Sequence, residues 1–147
     1  MTESMAARER TGDVFADATF VGPDGRRETL RLLVDTGSTY TWIPAAVARR
    51  LGMRPLAVLP FDFGKRPYVR RRVGEAEIEI LSRRLTSPVV FARPEEEPVI
   101  GHVTLQGLLL HVDMVRHCLV PGRPLRAPSR RVIGVLPKRR AKRAVRG

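Results

Sequence analysis

Asp35, Thr36 and Gly37 sit at the end of the apolar run "LRLLV" and just ahead of "STYTWIP". A carboxylate placed between a strand and a tight turn has two uses. It can accept backbone N–H groups and cap the turn, a role that Asp often fills. It can also exchange protons with a bound water, the acid–base chemistry of a peptide-cleaving site. The triplet alone does not choose between them, because a D-[ST]-G should occur by chance in about one chain of this size in twenty. Its surroundings add information. Far downstream, Val99 and Ile100 meet Gly101, again an apolar pair running into a glycine, and a helical stretch follows.

The elements that must position these residues can be read from periodicity. Two apolar stretches flank "GPDG", where Pro presets φ and Gly tolerates positive φ. They predict a β-hairpin with strands near 13–21 and 27–35. Leu30, Leu32 and Val34 alternate with Thr29, Arg31 and Leu33, a period of two. Pro44, at the first helical turn, and Gly52, just past the end, bracket a helix of about two turns. A second hairpin is expected from 57–63 and 68–81 around "GKRP", with Ala76, Ile78 and Ile80 on one face. "LTSPVVFA" reads as a further strand. Val99 and Ile100 predict a short buried strand, and 102–109 a short helix weakened by Gly107. "LHVDMV" and "HCLVP" close the chain with two short strands. Short strands, frequent turns and few helices indicate a small all-β fold.

The chain has 147 residues, 12 of them Gly and 12 Pro, and is 43% hydrophobic, enough for one core and one domain. Its net charge of +12 suggests nucleic acid until it is divided along the chain. Residues 121–147 hold ten Lys or Arg and no acid, which leaves residues 1–120 with seventeen basic and fifteen acidic residues, a net of +2. The expected organisation is a flexible lead-in over 1–12, a folded domain over 13–120, and a basic, Pro-rich, disordered tail over 121–147. Such a tail offers weak, non-specific contact with nucleic acid or acidic partners, which salt should weaken. No run of about 18 apolar residues occurs, and the first residues lack the apolar segment of a secretory signal. No membrane partner and a cytoplasmic location are therefore expected. Cys118 is the only cysteine, so no internal disulfide can form. His111, Asp113, His117 and Cys118 lie close together, but their spacing matches no standard zinc pattern, and no metal or cofactor is expected. Glu95, Glu96 and Glu97 read as a solvated loop. The arginines at 70–72 alternate across both faces of an exposed hairpin arm.

"LLVDTGSTYTWIP", "VIGHVTLQGLLLHVD" and the order of elements between them resemble the retropepsin-like aspartic proteases, especially the small single-domain bacterial type. The resemblance runs over roughly residues 13 to 120. It implies a small closed β-barrel with one or two short helices, one half of a pepsin-like fold. It also implies an aspartic endopeptidase in which two adjacent carboxylates share one proton, because like charges that close cannot both ionise cheaply. The chain has six Asp and a single D-[ST]-G, so the pair requires a homodimer, with Asp35 of each chain meeting at a two-fold axis. The substrate would be a peptide or protein.

The same resemblance assigns roles to the neighbours. Thr36 would bond across the dimer axis, and Gly37 would let the backbone approach carboxylate and substrate. Ser38 and Thr39 would contact the substrate backbone. Trp42, Val99 and Ile100 would wall the cleft. Phe63 and Gly64 fall in "FDFGKRPYV", the candidate flap, with Gly64 at its tip. Pro67 departs from a usual flap because it lacks an N–H. Where retroviral members carry an acid and an Arg that support the dimer, this chain has Thr39 and His102. Two other readings compete. One is the same fold used as a dimeric peptide-binding module without turnover. The other is a small basic nucleic-acid-binding protein, which the near-neutral body disfavours.

Overall fold

Gly25, with φ of +91°, turns the chain sharply after Asp24, and Gly22 N–H donates to Arg26 O at 2.8 Å. The turn sets β1 (Phe15–Val21) antiparallel to β2 (Arg27–Val34), with Phe15 opposite Leu33 and Val21 opposite Arg27. The computed structural model describes residues 12–128. The expected lead-in up to residue 11 and the expected tail from residue 129 onward lie outside the described residues.

The chain continues through β3 (Thr41–Pro44) and α1 (Ala45–Arg50). β4 (Ala57–Phe61) and β5 (Val69–Ile80) form the second hairpin, followed by β6 (Arg83–Ala92). Then come β7 (Val99–Ile100), α2 (His102–Gly107), β8 (Leu110–Asp113) and β9 (Cys118–Pro121). Seven strands form one sheet in the order β1-β2-β7-β3-β6-β5-β4, and β1 also pairs with β5. That extra pairing bends the sheet into a barrel, with β4 hanging from the outer edge of β5. The barrel is mostly β with two short helices, as the sequence indicates, but it closes unevenly. β5 and β6 pair continuously from Val73–Val90 to Ile80–Arg83, whereas β3 meets β7 only at Trp42–Val99. No helix of the described residues is long and apolar enough to cross a membrane.

Alternation fills the barrel. Ala18 and Phe20 of β1, Leu32 of β2, and Ala76, Ile78 and Ile80 of β5 all join the main core with Ile43 and Ile100. A smaller cluster gathers Trp42, Val73, Val90, Ala92 and Val99. β3 was not expected. Thr41, Trp42 and Ile43 are all buried, so no alternation marks the strand, which lies between β6 and β7. Pro44 correspondingly ends β3 in an extended conformation, φ −56° and ψ 136°, instead of occupying the first turn of α1.

Three hydroxyls are sealed inside. Thr104 Oγ1 lies 2.6 Å from Thr41 Oγ1 and 2.8 Å from Ser87 Oγ. Thr41 Oγ1 also accepts Gly101 N–H at 3.0 Å. This chain of bonds joins β3, β6 and the start of α2. A buried polar group that loses its partner keeps its desolvation cost. Thr104→Val keeps the shape and removes the central hydroxyl, and is expected to destabilise the fold by about 1–3 kcal/mol in urea denaturation at neutral pH.

Candidate active site

β2 and β7 run parallel, with Val34 opposite Ile100. One residue on, Asp35 N–H donates to Ile100 O at 2.9 Å, which fixes where the acidic residue leaves the sheet. Residues 35–40 form a loop closed by Ser38 N–H on Asp35 O at 3.1 Å. The first N–H groups of a helix have no partner within it. Here the loop supplies acceptors: His102 N–H donates to Ser38 O at 2.7 Å and Val103 N–H to Thr39 O at 2.9 Å. Backbone bonds therefore run through the two positions, Thr39 and His102, where the sequence departs from the retroviral pattern.

Gly101 makes this crossing possible. A Cβ at that position would overlap the carbonyl of Tyr40 and stand 2.9 Å from Ser38 O. Gly37 acts at closer range. Its N–H donates to Asp35 Oδ1 at 2.9 Å, orienting a carboxylate that stays exposed.

Asp35 opens into a groove of about 1050 Å3. Of the residues singled out from sequence, Gly37, Ser38, Thr39, Trp42, Phe63 and Val99 line it too. Trp42 is both wall and core. It is 7% exposed, and its ring meets those of Phe61 and Phe63 edge-on, at centroid distances of 5.1 and 5.6 Å. Ser38 Oγ donates to Tyr40 O at 2.8 Å, which leaves its lone pairs available to another donor. Thr36 is exposed at the turn, outside the groove lining.

Two residues sit differently from the sequence expectation. Ile100 does not wall the groove. Successive strand residues face opposite sides, so Val99 lines the groove while Ile100 is fully buried in the main core. Ile100 reaches the site only through its carbonyl, which holds Asp35. Gly64 lies in the loop joining β4 and β5, with φ of +89° and its N–H on Asp62 Oδ1 at 2.7 Å, but it is not part of the lining. The same arm presents Phe61, Asp62 and Phe63 to the groove.

The sequence reading missed Tyr40, Leu59 and Phe61 as lining residues. It also misjudged the glutamate run. Glu95, Glu96 and Glu97 form part of the wall, and Glu96 is bound to Arg71 of β5. The Arg71 and Glu96 side chains are 9% and 12% exposed. Arg71 Nε lies 3.0 Å from Oε1 and 3.1 Å from Oε2, and Nη2 also donates to Oε2. Oε1 further accepts Arg93 N–H at 2.9 Å. Hydrogen bonds from Arg71 hold the Glu96 pKa below the ordinary value of 4.5 against the opposing cost of burial. The signal was present in the alternation at 70–72, which turns Arg71 away from Arg70 and Arg72.

Asp113 serves a turn. It accepts Val115 N–H at 2.9 Å and both Arg116 N–H and Nε, at 3.0 and 2.8 Å. Among the described residues, no group of three His, Cys, Asp or Glu is placed to hold a metal ion.

Comparison with known families matches residues 16–109 to the family described as Aspartyl protease. That span includes Asp35, its loop, the groove and α2. No curated protein matches the chain.

Two outcomes are expected. Gly101→Ala should cost about 3 kcal/mol in urea denaturation, because the Tyr40 carbonyl must move and take the loop bonds with it. For Glu96, the folded pKa lies below 4.5, so its stabilising contribution is complete above that value and is lost as pH falls through the lower folded one. The unfolding midpoints of wild type and Glu96→Gln should therefore differ most near neutrality and converge as the pH drops below 4.5.

Proposed function

We infer that this chain, which belongs to the retropepsin-like aspartyl protease family, is a homodimeric endopeptidase whose reacting groups are the Asp35 carboxylates of two protomers. The observation that carries the reading is the placement of Asp35. It is an exposed carboxylate in a substrate-sized groove, on a loop held by four backbone hydrogen bonds, with Gly37 N–H aimed at Oδ1. A residue that merely capped a turn would need no groove beside it.

In this reading the two carboxylates share one proton, and the pair titrates as a unit. The ionised member takes a proton from water as its oxygen bonds to the substrate carbonyl carbon. The protonated member gives its proton to the carbonyl oxygen, forming a neutral tetrahedral diol. The diol then collapses: the C–N bond breaks, the leaving nitrogen takes up the proton drawn from water, one diol hydroxyl returns its proton to the carboxylate that had given one up, and the carbonyl re-forms as a carboxylic acid. Asp35 emerges in its starting state.

The single D-[ST]-G motif supports the second protomer, since one chain offers one such acid. Thr36, exposed at the turn beside Asp35, is the residue assigned to contact its own copy across the axis. Gly37, Ser38 and Thr39 would contact the peptide backbone, while Trp42, Phe63 and Val99 would hold an apolar side chain. The β4–β5 arm, carrying Phe63 and Gly64, would close over the substrate and exclude water.

Cleavage of a quenched-fluorescence peptide library at mildly acidic pH tests this directly. Wild type should cleave, with rates falling on both the acid and the alkaline side, as a shared-proton pair requires. Asp35→Asn should lower the rate by about a thousandfold or more. Activity per protomer should decline on dilution in step with dimer loss measured by sedimentation. Equal rates for wild type and Asp35→Asn would sink the assignment. Peptide binding by a dimer without turnover, unchanged by the substitution, would establish the binding-module reading.

A further inference from the structure

The loop over 93–98 borders two grooves. Glu95, Glu96 and Glu97 line the Asp35 groove, whereas Arg93 and Pro94 line a second one of about 520 Å3. The second groove has five arginines and no carboxylate in its lining. Arg71 is occupied by Glu96, as described above. The other four are Arg49 from α1, Arg70 and Arg72 from β5, and Arg93 from the loop, and all four are exposed. Among the described residues, none of these four takes part in an ion pair. Arg70 spends one N–H on Val58 O at 3.4 Å.

Between the arginines lies apolar surface. The lining includes Val58 of β4 and Phe91 of β6, together with the buried Ala48 and Met53. Val58 is 48% exposed, a branched aliphatic side chain left in water beside a ring of cations. Like charges gathered at one groove repel one another; among the described residues Glu96 offsets Arg93 in part as well as Arg71, but no carboxylate relieves Arg49, Arg70 and Arg72. An anionic ligand would, and Arg favours carboxylates because its planar fork can hold both oxygens at once. The floor selects further. It is mainly aliphatic, with Phe91 half-buried, and lacks the exposed aromatic faces on which nucleic-acid bases stack.

We propose that this arginine-rimmed groove is a docking site for an acidic peptide segment of a partner protein, carboxylates meeting Arg49, Arg70, Arg72 and Arg93 while an apolar side chain rests on Val58 and Phe91. The site is separate from the Asp35 groove and does not require turnover.

The full-length chain, with its basic C-terminal residues intact, is titrated into a fluorescein-labelled peptide of about ten alternating Glu and Leu residues at low salt. A Lys–Leu peptide and a single-stranded RNA of similar length serve as comparators. The Glu–Leu peptide should bind, more weakly as salt rises, and the Lys–Leu peptide should not. Arg72→Glu combined with Arg93→Glu should weaken binding by about tenfold or more, and the corresponding double Gln variant by less. Both positions are exposed, so circular dichroism melts should match wild type. Amide resonances of Val58, Phe91 and Arg93 should shift on titration in the wild-type protein, a readout that needs no variant. Undiminished binding by the double Glu variant, or shifts confined to other surfaces, would overturn the proposal. So would RNA binding that is tighter than peptide binding and lost with the same substitutions.

Discussion

The loop that carries Asp35 crosses the junction between β7 and α2 at a separation that only glycine permits. Everything at the site follows from that crossing. Because Gly101 has no Cβ, the carbonyls of Ser38 and Tyr40 can lie against it. Ser38 O and Thr39 O then accept the opening N–H groups of α2, while Ile100 O accepts Asp35 N–H. One short helix thus gains partners for donors it cannot satisfy itself, and one acidic residue gains a fixed exit from the sheet. The sealed hydroxyls of Thr41, Thr104 and Ser87 tie the same junction to β3 and β6. The result is a carboxylate that is exposed yet carried on backbone with few alternatives.

Hydrophobic packing and ion pairing then shape the space around it. The smaller apolar cluster forms the underside of the groove, and Trp42 contributes to both cluster and wall. The Arg71–Glu96 pair works from the other side, clamping the glutamate loop onto β5. A pair so little exposed contributes through geometry more than through net free energy, since desolvating both ions offsets much of their attraction. Its effect is to set the distance between the arm carrying Phe61 and Phe63 and the loop opposite.

Much of this was readable from the sequence, where physical constraints are local. Both hairpins announce themselves by turn residues and a period of two, and α1 by its flanking Pro and Gly. Asp35 stands out because acid, hydroxyl and glycine follow an apolar run. What escaped depended on contacts distant in the chain. β3 is buried on both faces, with Ile43 in the main core and Trp42 in the smaller cluster, so it carries no alternation. Ile100 and Val99 looked equivalent as an apolar pair, and only the pleat separates core from groove. Glu96 looked like one of three solvated acids until β5 delivered Arg71 from 25 positions away. Tyr40 and Phe61 meet edge-on at 6.1 Å, yet nothing in either local pattern points to the other.

Among the described residues β4 ends the sheet, and one side of its backbone has no neighbouring strand. An open edge of this kind invites pairing with another chain and, from there, runaway aggregation. Pro60 sits within β4 and removes one of the donors that an incoming strand would need. Arg66 and Lys65 follow closely and add repulsion between copies. The arm that borders the groove can therefore remain unpaired on its outer side without becoming a seed for fibrils.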